Sequence, residues 1–279
     1  MKPIVAIIAQ GTMGAGLARR LTGHGVEVLT SLSGRSADSR ARAAAAGMKA
    51  VAIQELMEAQ FLLSIVPPAA ALPMAMSLEP VLRAAQHKPV FVDCNAVSPD
   101  TLRSIAASLS DTSAPFVDVG IIGLPPREDY AGPRLYAAGE SAGKLDVLNQ
   151  YGLNVCLLEG PIGTASALKM AYAGITKGLI AAATAMILGA GRAGVASALR
   201  QELAWSAPTL LATLSRGVPD MLPKANRWVA EMQQIQEFAG GDSAAREIYQ
   251  GAEHLYSHLA ADFPAGSDEI EVLRRFFAD

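Results

Sequence analysis

The sequence predicts two domains of different class: an α/β domain on a mainly parallel sheet over residues 1–160, then an all-α domain over 161–279. Three observations carry this. Short β-rich runs alternate with alanine-rich helical stretches as far as Gly160, the pattern of repeated βαβ units. Beyond Pro161 the alternation stops and only long helical periods remain. The chain also opens on an apolar run, Ile4 to Ala9, that enters a glycine-bearing turn and then a helical pattern, which makes the first domain Rossmann-type. A length of 279 residues likewise favours two domains over one.

Taken in order, β-branched and apolar runs predict strands over 3–9, 26–30, 61–65, 90–93, 116–120, 135–138 and 154–158. Alanine-rich stretches between them predict helices over 13–22, 36–46, 53–59, 69–82, 98–109 and 143–148. Ser98 is placed to cap its helix, with Pro99 at the first position. Past the joint at Glu159-Gly160-Pro161, helices are expected over 164–190, 197–215, 225–239 and 243–259, with a short one at the C-terminus. The irregular segment 124–133, rich in proline and charge, belongs on the surface near the cleft, as a crossover loop or a gate.

Composition narrows the class. The chain is 51% hydrophobic and 18% charged with a net charge of −3, so it has material for a large core and no basic footprint for nucleic acid. Cys94 and Cys156 have neither metal-like nor disulfide-scaffold spacing, which suits reduced thiols in a cytoplasmic protein. The N-terminal apolar run is too short for a signal peptide, and the run 178–191 is too short to span a membrane. His254 and His258 stand four apart on a predicted helix without the neighbouring acid of a His-Glu-x-x-His site, so no metal is expected there.

The opening turn, Gln10-Gly11-Thr12-Met13-Gly14, carries the first chemistry. Glycines let phosphates approach the backbone and let helix pack on strand, while the helix end offers unpaired N–H groups to negative charge. A dinucleotide pyrophosphate is the implied ligand. About twenty residues on, where an acid would hold the ribose hydroxyls of NAD, the second strand ends instead in Ser31-Leu32-Ser33-Gly34-Arg35. Hydroxyls and a guanidinium suit a 2′-phosphate, so NADP is expected over NAD.

Ligands in open α/β sheets bind beyond the carboxyl ends of the strands. Val66-Pro67-Pro68 after the third expected strand forms a stiff turn beside the cofactor, Asn95 after the fourth offers a polar side chain, and Asp118 to Gly123 after the fifth permits close backbone approach. On the long helix, Lys169, Tyr172, Ala173, Thr176 and Lys177 share one face. A lysine that loses hydration there can exchange protons near neutral pH, which makes Lys169 the candidate general acid or base.

The glycine turn, Val66-Pro67, the Asp93 to Pro99 segment, Asp118 to Gly123 and the Gly163-x5-Lys169 helix occur in the order found in the β-hydroxyacid dehydrogenases. The chain resembles that superfamily, which includes 3-hydroxyisobutyrate and 6-phosphogluconate dehydrogenases. The resemblance implies hydride transfer between nicotinamide and a hydroxyl-bearing carbon, with Lys169 moving the hydroxyl proton. It places Asn95 at nicotinamide and substrate, and the segment containing Ile122 and Gly123 at the substrate carboxylate; Tyr172 and Lys177 extend the substrate face. There are departures: Ala9 replaces the first glycine, Ile122-Gly123-Leu124 stands for a serine-glycine-glycine run, and Ala173 for an asparagine. Both of the last two remove groups that hold a polar acid. A small hydroxy acid or related hydroxylated molecule remains the expected substrate of a homodimeric NADP-dependent enzyme. The alternatives are an imine reductase, against which Lys169 argues, and a non-catalytic NADPH-binding protein. Lys224 and Arg227 could reach the cleft from the helical domain.

Overall fold

The computed structural model describes residues 2–127 and 129–278. The chain forms two compact units that divide between Met170 and Ala171.

In the first unit, strands β1 (Ile4–Ile8), β2 (Glu27–Thr30), β3 (Lys49–Ala50), β4 (Phe61–Ser64), β5 (Val90–Asp93), β6 (Phe116–Ile122), β7 (Arg134–Ala138) and β8 (Asn154–Leu157) form one sheet in the order β3-β2-β1-β4-β5-β6-β7-β8. All neighbours are parallel except β6 and β7, whose antiparallel register sets Ile122 against Arg134. Helices α1 (Thr12–Gly23), α2 (Ala37–Ala45), α3 (Pro68–Ala84) and α4 (Pro99–Ser108) make the crossovers, with Ser98 capping α4 through Thr101 N as its sequence predicts. The expected helices near 53–59 and 143–148 are 3₁₀ segments, Gln54–Glu58 and Ala142–Tyr151. Both sheet faces are covered: Val5, Ile7, Leu17, Leu21 and Leu63 pack on one side, Ala6, Leu62, Leu78, Leu82 and Phe91 on the other. Each buried leucine contributes about 1.5–3 kcal/mol by leaving water.

The domain joint lies later than the expected 160/161 boundary. Helix α5 (Thr164–Arg192) begins inside the first unit because its first turn is bound to β6, and the division between the units falls nearly two turns into the helix. Helix α5 is also longer than the apolar run seen in the sequence: at 29 residues with an 18-residue window of mean hydropathy 1.5, it meets the length and composition of a membrane span. Core helices of soluble proteins meet the same measure.

The second unit continues α5 and adds α6 (Ala196–Ser206), α7 (Pro208–Met221), α8 (Ala225–Phe238), α9 (Ser243–Asp262) and α10 (Asp268–Phe277). The single helix expected over 197–215 is two. Pro208 has no N–H and biases Ala207 out of helical backbone, to φ −143° and ψ 55°, so it starts a new helix. Trp228 of α8 meets Tyr256 of α9 edge to face with ring centroids 5.2 Å apart. Tyr256 is fully buried and its hydroxyl donates to Lys177 O at 2.5 Å. His258 lies 3.4 Å from Asp262 and 3.0 Å from Glu269, tying α9 to α10; His254 is not among this group.

Candidate active site

From β3 the chain crosses over β2 and β1 to reach β4, so the carboxyl ends of β1 and β4 flank a topological switch point. The turn Ala9-Gln10-Gly11 leaves β1 at this place. Gly11 caps α1 with φ −71° and ψ 179°; no side chain closes the first turn, and no acid lies in it. The N–H groups at Thr12 and Met13 and the positive helix pole therefore stay available to an anion. A Cβ added to Gly11 would meet no atom within 4 Å, whereas one on Gly14 would collide with the Ala9 carbonyl oxygen. Gly14 is thus what lets α1 close onto the turn, and the space over Gly11 admits a pyrophosphate. The residues present fit a dinucleotide.

At the end of β2, the Gln10 side chain is 1% exposed and bonds to Thr30 Oγ1 and, at 3.0 Å, to Ser31 O. Thr30 Oγ1 in turn donates to Ile7 O at 2.8 Å, so β1 and β2 are locked together beneath the turn. Gln10 Oε1 is buried with no partner among the described residues, an acceptor facing this locality. Beyond Ser31, Gly34 takes φ +68° in a turn closed by Arg35 N donating to Leu32 O at 3.2 Å, which sets Ser33 and Arg35 at the strand end. Two further arginines come to the same place. Arg40 Nε donates to Arg35 O at 3.2 Å, and Arg42 Nε donates to Gln10 O at 2.9 Å. Sequence reasoning passed over both; the signal was their recurrence at five and seven residues after Arg35.

The ends of β4 and β5 are joined by Asn95, which is 3% exposed. Its Oδ1 accepts from Val66 N at 2.7 Å, and its Nδ2 donates to Ser64 Oγ at 3.2 Å and Asp93 Oδ2 at 2.9 Å. The side chain expected to face a ligand is thus engaged with the scaffold, where it fixes the Val66-Pro67-Pro68 turn that starts α3. Burial pushes the Asp93 carboxyl up to about 7, against the pull of its bonds from Asn95. Because the folded pKa lies above the unfolded value of 3.8, the folded chain holds the extra proton between those limits. This contribution to stability is full below that window and is lost as pH rises through about 7. Asp93→Asn cannot ionise. The melting temperature of the native protein relative to this variant should fall by several degrees between pH 4 and pH 8, and parallel melting curves would contradict the assignment.

The third convergence joins β6 to α5. Asp118 is fully buried. Its Oδ2 accepts from Gly163 N and Ala165 N at 2.9 Å and Ser166 N at 3.1 Å, and its Oδ1 from Ser166 Oγ at 2.8 Å. A strand residue therefore supplies the cap of a helix 45 residues later in sequence. Burial raises the Asp118 pKa, with these bonds acting the other way. Two residues along, a Cβ on Gly120 would sit 2.6 Å from Ala165 O and 3.2 Å from Lys169 Cβ. The missing side chain at Gly120 lets α5 lie on β6, and it brings half-buried Lys169 over the strand that runs into Ile122 and Gly123. Gly123 holds φ +131°, and its Cβ position falls 2.8 Å from the Tyr130 hydroxyl, a group the sequence did not single out.

The remaining expected site residues belong to the helical unit. Tyr172 is 49% exposed. Lys177, expected on the substrate face, is instead bound to Glu231 and lies 4.9 Å from the Trp228 ring centroid. Arg227 pairs with Glu231 at 3.3 Å and Lys224 with Asp220 at 2.5 Å, so these cations serve their own unit. Periodicity placed Lys177 on the Lys169 face; it could not show that α8 offers a buried carboxylate on that side.

Residues 4–142 match the model of the NAD binding domain of 6-phosphogluconate dehydrogenase, and residues 190–259 match a domain of unknown function, DUF1932. An uncharacterised 28.5 kDa protein of Methanothermus fervidus is 26% identical over 84% of this chain and 90% of its own. A conserved protein of unknown function, reported as structurally similar to 3-hydroxyacid dehydrogenases, superposes with a TM-score of 0.73 at 26% identity over 99% of both chains. The 3-hydroxyisobutyrate dehydrogenase of Mycobacterium tuberculosis shares the fold, with a TM-score of 0.71 at 20% identity over 100% of both chains. With its parallel-sheet unit, helical unit and glycine turn, the chain belongs to the β-hydroxyacid dehydrogenase superfamily, as an oxidoreductase with a pyridine-nucleotide-binding N-terminal unit.

Proposed function

We propose that the protein is an NADP-dependent oxidoreductase acting on a small hydroxy acid or a related hydroxylated molecule, with Lys169 as general acid and base. The observation that carries this is the seating of Lys169 over Gly120, at the carboxyl-end side of the sheet that also bears the glycine turn. The bound nicotinamide supplies the hydride acceptor or donor. The chain's own role is to hold the pyrophosphate at Gly11 to Gly14, bracket a 2′-phosphate with Ser31, Ser33 and Arg35, and move the hydroxyl proton through Lys169 Nζ. Ile122 and Gly123 end the strand on which substrate would rest. With Asn95 engaged in the scaffold and Ile122 in place of a serine, the substrate is held by fewer polar side chains than the resemblance implies.

Fluorescence titration with NADPH and NADH tests the cofactor arm. NADPH should bind at least tenfold tighter, a difference of about 1.4 kcal/mol, and Arg35→Gln should erase that margin while leaving NADH affinity within twofold. Equal affinities in the native protein would refute the 2′-phosphate assignment.

A homodimer belongs to the same proposal. Tyr172, Ile175, Leu179 and Met186 recur along α5 with exposures of 49, 71, 41 and 68%, an apolar stripe that a second copy would cover. Light scattering at the monomer mass of 29.0 kDa would remove it. A cytoplasmic location accords with the two free cysteines.

A further inference from the structure

Away from the cofactor turn, on the other end of α1, lies a hollow of about 450 Å³ lined by Gly16, Arg19, Arg20, Gly23, His24, Pro126 and Arg127. Three guanidiniums and an imidazole border it, and none of the four is paired with a carboxylate among the described residues. Guanidiniums gathered without a counter-charge among the described residues repel one another, and an anion relieves that. The carbonyl end of α1 accounts for Arg20 and His24, which sit in its last turn and cap. It does not account for Arg127, which approaches from the 124–133 segment.

The hollow is built rather than incidental. Arg20 Nε donates to Gly152 O at 3.1 Å, and His24 Nδ1 lies 2.8 Å from Arg20 O. These bonds hold both side chains at the wall of the hollow and leave Arg20 Nη1 and Nη2 and His24 Nε2 outside them. Gly152, at φ +83°, gives them room: a Cβ there would come within 2.8 Å of both Arg20 Nε and His24 Nδ1. On the opposite wall Pro126 sits where its Cδ would be 3.0 Å from a Cβ on Gly16, so a glycine again sets the depth. Paired backbone bonds between Arg127 and Tyr130, at 3.0 and 3.2 Å, hold the tip of the segment that presents Arg127.

We infer that this hollow is a binding site for a phosphate-bearing metabolite, separate from the cofactor phosphates. A phosphoryl group presents three oxygens in a tetrahedral array and about two negative charges, so donors from α1 and from the facing loop can hold it from different sides. A planar carboxylate reaches fewer of them. Because the loop that carries Pro126 and Arg127 continues directly from Ile122 and Gly123, occupancy would brace the strand end on which substrate is proposed to rest.

The test is calorimetric titration of the intact protein with inorganic phosphate and, separately, with citrate. Phosphate should bind saturably, and Arg19→Gln and Arg127→Gln should each weaken it at least tenfold. Arg35→Gln, at the proposed 2′-phosphate position, should leave it within twofold. Arg19 and Arg127 are both exposed, and unchanged melting temperatures would verify that the variants fold. The proposal is overturned by absence of saturable phosphate binding, by binding of citrate alone, or by loss of phosphate binding in Arg35→Gln with retention in Arg19→Gln and Arg127→Gln.

Discussion

Replacing Lys169 by alanine should lower kcat by about 10²–10⁴-fold while leaving NADPH affinity within twofold, the range expected when a positioned acid or base is removed. The structure makes this a clean substitution. What lies over Gly120 is the Cβ of Lys169, and alanine keeps that carbon, so the packing of α5 on β6 survives and only the chain beyond it is lost. Lys169→Arg sharpens the result: it retains a cation of similar reach, but a guanidinium does not give up its proton near neutral pH, so turnover should stay low. Rescue by arginine would mean that charge, not proton exchange, is what the site needs. Turnover of both variants with a hydroxy-acid panel, measured beside NADPH titrations, separates these cases. Loss of cofactor binding together with turnover in Lys169→Ala would make the lysine structural. A native protein that binds NADPH and turns over nothing would instead favour the non-catalytic alternative.

The regions of this molecule that were legible in the sequence are those set by local pattern. Alternation of β-rich runs with alanine-rich stretches marks a parallel sheet whatever lies beside it, and all but one of its strands appear where apolar runs predict them. The exception, Lys49–Ala50, is two exposed residues long and has no apolar signature. Extension of β6 to Ile122 escaped notice because its last residues are held by pairing with Leu135 and Arg134 across an antiparallel partner, a long-range fact. The candidate site divides the same way. Gly14 and the uncapped α1 are written in a few adjacent residues, whereas the commitments of Asn95 and Lys177 depend on partners 29 to 54 residues distant. Polar residue type signals that a side chain will seek a partner; it does not say whether the partner is a ligand or the fold.

Asp118→Ala should lower the melting temperature by about 6–12 °C, corresponding to roughly 3 kcal/mol at 2–4 °C per kcal/mol for a chain of this class. The cause is a deficit of hydrogen-bond acceptors. One fully buried carboxylate takes up three backbone N–H groups at the start of α5 and the Ser166 hydroxyl, and alanine leaves all four donors without an acceptor in a place water does not reach. Asparagine should behave differently. Its Oδ1 can take the three backbone donors, and its Nδ2 can donate to Ser166 Oγ, which is able to accept, so Asp118→Asn should recover most of the lost stability. Activity should follow the same order, because the clamped residues Ala165 and Ser166 lie one turn before Lys169 and determine where that turn meets Gly120. Asp118 thus positions the lysine and touches no reacting atom. Asp118→Ala should therefore lower kcat while NADPH affinity holds, with Asp118→Asn close to native in both. Equal damage from the two substitutions would show that the carboxylate charge itself, and not the cap it forms, is what the site requires.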